Sequence, residues 1–103
     1  MAIECVSTLE IRLCETLEST FEQTTRDCIA RLQDASGCLD YILTRSARDP
    51  GLWWLTGYWT SEKQMTESFE STPMEQLLYF LIGAGANLTF GSFVSAPAVA
   101  HGD

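Results

Sequence analysis

The chain carries little of the usual catalytic equipment. Its single histidine, His101, stands in the last residues, so no Ser-His-Asp or Cys-His set can form within the folded body. The four cysteines (Cys5, Cys14, Cys28 and Cys38) show no close pair of the kind that holds zinc. Cys5 and Cys14 are expected near opposite ends of one strand, roughly 30 Å apart at about 3.3 Å per residue, too far to bridge. All four are read as buried, reduced thiols behaving as small hydrophobes. Gly83-Ala84-Gly85 follows a helix and lacks the spacing of a phosphate-cradling loop. What stands out is aromatic: three tryptophans and two tyrosines fall between Tyr41 and Trp59. Trp59 offers a flat apolar wall with one N–H donor, and Gly57, two residues earlier on the same strand face, leaves room beside the ring.

The totals narrow the classes. A length of 103 residues fits one domain with a modest core, one that gains from a partner chain. Hydrophobic residues make up 46% and charged residues 19%, the balance of an ordered globular protein. Six Lys and Arg against fourteen Asp and Glu give a formal net charge of −8. That argues against nucleic acid or an anionic membrane as partner, because phosphate binding needs clustered cations. With no long apolar run and no basic-then-apolar leader pattern, a soluble, cytoplasmic protein is expected.

These residues must be positioned by elements that the periodicity sets out. Ile3 to Leu13 alternates, with Ile3, Cys5, Leu9, Ile11 and Leu13 on one face of a half-buried strand. Glu15 to Gln33 changes to helical spacing, with Leu17, Phe21, Cys28, Ile29 and Leu32 on one stripe. The carboxylates Glu15, Glu18 and Glu22 read as its solvated side. Ala35-Ser36-Gly37 is a turn, Cys38 to Ser46 a strand, Arg48-Asp49-Pro50-Gly51 a breaker, and Leu52 to Trp59 a second strand, together a hairpin. A helix follows, capped by Ser61 with Gln64 or by Thr60, with Met65 and Phe69 as its apolar edge. Thr72-Pro73 breaks it, and Pro73 suits the first turn of a new helix from Met74 to Ile82. That helix is apolar over most of its surface, which implies burial or a subunit interface. Asn87 to Ser95 is the last strand. Residues 1–95 are expected as one domain and 96–103 as a flexible tail.

The order is β-α-β-β-α-β with the second helix broken, the ferredoxin-like α+β arrangement of a four-stranded antiparallel sheet with helices on one face. In the strand Leu52 to Trp59, Trp53, Leu55 and Trp59 point one way while Leu52, Trp54 and Tyr58 point the other. Both faces are apolar and the helices cover one. Packing two such sheets together as a homodimer hides the other.

Several of these residues follow one recognisable pattern: Gly37-Cys38-Leu39, Tyr41, Arg45-Ser46, Asp49-Pro50, Leu55 to Trp59 as Leu-x-Gly-x-Trp, Ser61-Glu62, and Ser71-Thr72-Pro73. The run resembles that of the antibiotic biosynthesis monooxygenase (ABM) family over roughly residues 3 to 95. The resemblance implies the dimeric α+β barrel, and it places Trp59 as the tryptophan lining a cavity between sheet and helices. Members of that family include cofactor-free oxygenases, quinol oxidases, haem-degrading enzymes and isomerases. Two positions depart from it. The histidine that several members carry about nine residues after the tryptophan is Ser68 here. The first strand has Ser7 and Thr8 but no asparagine; the only one in the chain is Asn87. Both departures argue against haem ligation and histidine acid–base chemistry.

The chemistry left to such a site is cofactor-independent: oxygenation of an electron-rich aromatic, quinol or polyketide-type molecule that itself donates an electron to O₂. The protein would supply a dry apolar pocket and a few polar groups. Trp59, Ser68 and Asn87 are the candidate catalytic residues. Tyr41, Phe69 and Tyr79 are candidate walls, and Ser7 and Arg45 further substrate contacts. Arg45 would stabilise a developing oxyanion if it points inward; as a surface or interface ion pair it would not. A hydrophobic-metabolite binding module and a polyketide cyclase or isomerase are the alternatives on the same scaffold.

Overall fold

The computed structural model describes residues 3–13 and 20–95. Cys14, Leu17, His101 and the expected tail from 96 onward lie outside the described residues. The element order is β1 (Cys5–Arg12), α1 (Thr20–Leu32), β2 (Cys38–Arg45), β3 (Leu52–Trp59), α2 (Glu62–Phe69), α3 (Thr72–Gly83) and β4 (Asn87–Val94). The strands form one antiparallel sheet in the order β2-β3-β1-β4. This is the ferredoxin-like α+β order that the sequence predicts.

Alternation fixes which face each strand buries. Along β1, Cys5, Ser7, Leu9 and Ile11 are buried, and along β3, Trp53, Leu55, Gly57 and Trp59 are. The helices pack on this face. Phe21, Thr25, Cys28, Ile29 and Leu32 make the buried stripe of α1, with the i, i+4, i+7, i+8 and i+11 spacing of an amphipathic helix. Phe21 seats α1 by stacking on Phe80 of α3 (centroids 5.7 Å apart) and meeting Trp53 edge-on at 6.0 Å.

The turns follow their chemistry. Gly37 has φ +82°, the left-handed region open to glycine, and its carbonyl accepts from both the Thr60 N–H and its hydroxyl. That ties the start of β2 to the end of β3. A bulge follows at once: the β2–β3 register shifts between Cys38 and Asp40, which leaves Leu39 as the extra residue. In the hairpin loop the Ser46 hydroxyl accepts from the Arg48 and Asp49 N–H groups. The Asp49 carboxylate takes the Gly51 N–H and the Arg12 guanidinium.

Ser61 caps α2 by accepting from the Gln64 N–H at 3.2 Å. The break between α2 and α3 comes two residues earlier than the sequence predicts. Ser71 is the cap, so Thr72 and Pro73 already lie in the first turn, where the N–H that proline lacks has no helical partner anyway. α3 is not apolar all round in effect: Met74, Leu77 and Leu81 are buried, whereas Tyr79 and Ile82 are exposed. The sheet face away from the helices carries Trp54, 37% exposed, with Ile42 and Phe93 also exposed and Tyr58 half-buried.

Candidate functional site

The strand registers assemble one polar row across the helix-covered face. Tyr41 on β2 stands opposite Gly57 on β3, Gly57 opposite Ser7 on β1, and Ser7 opposite Ser92 on β4. Apolar residues bound the row on each side. Leu43, Leu55, Leu9 and Phe90 form the next row, and Cys38, Trp59, Cys5 and Val94 the one before.

Within this frame Trp59, fully buried, donates its indole N–H to the Ser7 hydroxyl at 3.1 Å. Tyr41, 5% exposed, presents its ring at 89° to Trp59 with centroids 5.7 Å apart, an edge-to-face pair. Gly57 makes that placement possible. A Cβ there would stand 2.6 Å from the Tyr41 ring and 2.7 Å from the Ser7 oxygen. From α2, buried Ser68 approaches the same cluster, its hydroxyl donating to the Met65 carbonyl at 2.8 Å. Burial pushes the Tyr41 phenol above its ordinary value, and the nearby Ser7 and Ser68 hydroxyls offset part of that rise. Neither serine is aligned to bond it, and among the described residues the Tyr41 hydroxyl has no partner. Burial likewise raises the thiols of Cys5 and Cys38, which flank Trp59 on the adjacent strands.

Two spaces adjoin the cluster. An inner one of about 10 Å³ is lined by Ser7, Thr8, Leu9, Tyr41, Leu55, Phe69, Met74 and Phe90. An outer groove of about 220 Å³ is lined by Phe69, Leu78, Phe90, Gly91 and Ser92. Phe69 and Phe90 belong to both, their rings 6.0 Å apart. No charged side chain among the described residues lines either space. Among the described residues, no three His, Cys, Asp or Glu side chains gather as a metal site would need.

Of the residues singled out in the sequence, Trp59, Ser7, Tyr41, Ser68 and Phe69 are brought together here, but only Ser7, Tyr41 and Phe69 line these spaces. Trp59, expected to line the cavity, is fully buried in the core behind Ser7, and Ser68 lies behind the lining as well. Three residues are not brought in. Asn87 is exposed and pairs with Arg12, on the opposite sheet face from Ser92. Being five residues from Ser92, it also lies roughly 16 Å away along the strand. Tyr79 is 75% exposed on the outer side of α3. Arg45 is exposed beside Trp53, its guanidinium 5.5 Å from that ring in a cation–π contact, and Trp53 lies six residues along β3 from Trp59. Asn87 and Arg45 suggest themselves by their polar groups, but parity and position along β4 carry Asn87 away and position along β2 carries Arg45 away. Tyr79, suggested as an aromatic wall, lies on the outer side of α3. Conversely, Phe90, Leu78, Gly91 and Ser92 shape the groove without any signal in the sequence. Only the parity of Ser92 was readable, and its pairing with Ser7 was not.

The fold and the polar row, buried from Tyr41 to Ser7 and open at Ser92, define a βαββαβ protein with a groove of about 220 Å³ between β4 and the α2–α3 pair. The chain belongs to the antibiotic biosynthesis monooxygenase family, whose model matches residues 6–77. Solved structures share the fold. A Caulobacter crescentus protein assigned to the same family superposes with a TM-score of 0.75 at 14% identity, covering 92% of each chain. A Deinococcus radiodurans protein with the same assignment gives a TM-score of 0.71 at 15% identity, covering 91% of this chain and 94% of that one. SnoaB of Streptomyces nogalater, a cofactor-independent oxygenase, gives 0.64 at 15% identity, covering 97% of this chain and 100% of that one. No curated protein sequence matches this chain. None of the described helices is long and apolar enough to cross a membrane.

Proposed function

We propose that this protein is a cofactor-independent monooxygenase acting on an electron-rich aromatic, quinol or polyketide-type small molecule held between the sheet and the α2–α3 pair. The observation that carries the reading is the buried Trp59–Ser7–Tyr41–Ser68 cluster standing behind an apolar groove through the shared Phe69 and Phe90 rings. Flat aromatic surface suits that groove, and the cluster offers neutral hydrogen-bonding groups at its inner end. Membership of the monooxygenase family and the shared fold of a cofactor-independent oxygenase support it.

For an anthrone-like substrate the reaction balances without added reductant. The ring methylene loses a proton to give an enolate, which passes one electron to O₂. The radical pair combines to a carbon-bound peroxide and takes up a proton. Loss of water from this hydroperoxide, with the second methylene hydrogen, leaves a carbonyl. One oxygen atom stays on carbon and the other leaves as water. Among the described residues the inner space is lined by hydroxyls and apolar groups, with no carboxylate, imidazole or amine. Deprotonation therefore draws on the substrate's own acidity, and the protein contributes orientation, water exclusion and hydrogen bonds to the enolate oxygen.

The uncovered sheet face with Trp54, Ile42 and Phe93 supports a homodimer built by packing two such faces. Oxygen uptake with a panel of anthrones and hydroquinones tests the chemistry. Consumption above the buffer rate, one O₂ per substrate, is expected for an anthrone. Ligand binding with no uptake across the panel would replace the oxygenase with a binding module.

A further inference from the structure

The Tyr41 hydroxyl is nearly sealed from solvent and has no hydrogen-bond partner among the described residues. A buried phenol normally finds one, because leaving it unpaired forfeits its hydration. The two nearest hydroxyls are each turned to another group, Ser7 accepting from the Trp59 indole and Ser68 donating to the Met65 carbonyl. Each keeps acceptor capacity that is not aligned with the Tyr41 O–H. Gly57 removes the side chain that would otherwise displace both the Tyr41 ring and Ser7. The hydroxyl belongs to a residue lining the inner space, whose roughly 10 Å³ suits about one water molecule. That space and the outer groove share Phe69 and Phe90 in their linings, the first half-buried and the second 49% exposed.

We propose that Tyr41 is the specificity-determining donor of this site, selecting a flat aromatic ligand that carries a carbonyl or phenolic oxygen on its edge. The rings lie in the groove against Phe69, Leu78 and Phe90, and the edge oxygen enters the inner space as the two phenylalanine rings turn aside. There it displaces whatever water occupies the space and accepts from the Tyr41 hydroxyl. Burial keeps that phenol protonated, so it acts as a neutral donor. A site with a buried donor rejects the ligand that leaves it unpaired more strongly than an apolar pocket rejects an extra group. The inference rests on the groove being the ligand site, as the function above requires, and is independent of the oxygen chemistry.

Equilibrium dialysis under argon, where no turnover occurs, tests it with anthrone and its oxygen-free counterpart 9,10-dihydroanthracene. The native protein is expected to bind anthrone about tenfold or more tightly than the hydrocarbon, the ratio that one such hydrogen bond supplies. Tyr41→Phe should bring the two within about twofold, by weakening anthrone alone. Without ligand, Tyr41→Phe should melt at or above the native temperature, since it removes only an unpaired hydroxyl. An unchanged ratio, equal loss for both ligands, no binding of either, or a lower melting temperature would each overturn the proposal. The expected ratios with no oxygen uptake would uphold Tyr41 while removing the oxygenase.

Discussion

The Trp59 indole N–H reaches the Ser7 hydroxyl at 3.1 Å, linking residues 52 positions apart in the chain. The two do not face each other directly. Ser7 pairs with Gly57 and Trp59 with Cys5, so the bond runs diagonally across β1 and β3. Both groups are buried, and each has its main polar contact in the other. Ser7→Ala leaves the indole donor unpaired and should cost about 1–3 kcal/mol of stability, read by urea unfolding. Trp59→Phe should cost a similar amount through lost volume and lower oxygen uptake at least about tenfold. Unchanged uptake would take Trp59 out of the chemistry.

Gly57 is where the site is most sensitive to a single added carbon. Gly57→Ala places a Cβ within 2.6 Å of the Tyr41 ring and 2.7 Å of the Ser7 oxygen. One or both must move, at about 1–3 kcal/mol for an overpacked core. Chemical denaturation gives the cost, and a change in near-ultraviolet circular dichroism would report the displaced Tyr41–Trp59 pair.

Stability should fall as the solution turns alkaline. Burial raises the Cys5 and Cys28 thiols above 9.0 and the Tyr41 phenol above 10.0. Above those ordinary values the unfolded chain gives up protons that the folded chain still holds. Bound protons then favour the folded state, and stability declines with rising pH. Urea midpoints should therefore be level below about pH 8 and drop progressively above pH 9. A midpoint that rose across that window would contradict the burial of these groups.

Turnover should follow the acidity of the substrate. With no carboxylate, imidazole or amine among the described residues that line the inner space, the pH profile for a series of anthrones or hydroquinones should shift with each compound's own pKa. A profile with one fixed inflection for every substrate would point to a titrating protein group.

The uncovered sheet face predicts the assembly state. Sedimentation at micromolar concentration should show a dimer, and Trp54→Glu should convert it to a folded monomer, because Trp54 lies on that face, 37% exposed in the single chain. A native monomer would leave this face needing another occupant.

Much of this molecule was legible from local pattern. The parity of β3 put Trp59 and Leu55 inward and Trp54 outward, Ser61 announced its helix cap, and Pro73 marked the break between α2 and α3 to within two residues. These features depend on chain geometry within a few residues, where side-chain period and backbone hydrogen bonding leave few options. Which residues meet across the sheet was a different matter. Tyr41, Gly57, Ser7 and Ser92 form one row only because the β2–β3 hairpin settles into register with β1 and β4, both distant from it in sequence. The same registers carry Asn87 to the far end of β4 and seat Arg45 on Trp53. Register is decided by the packing of the whole sheet against its helices, which no local stretch encodes. The chain alone named the ingredients of the pocket, and tertiary pairing chose among them.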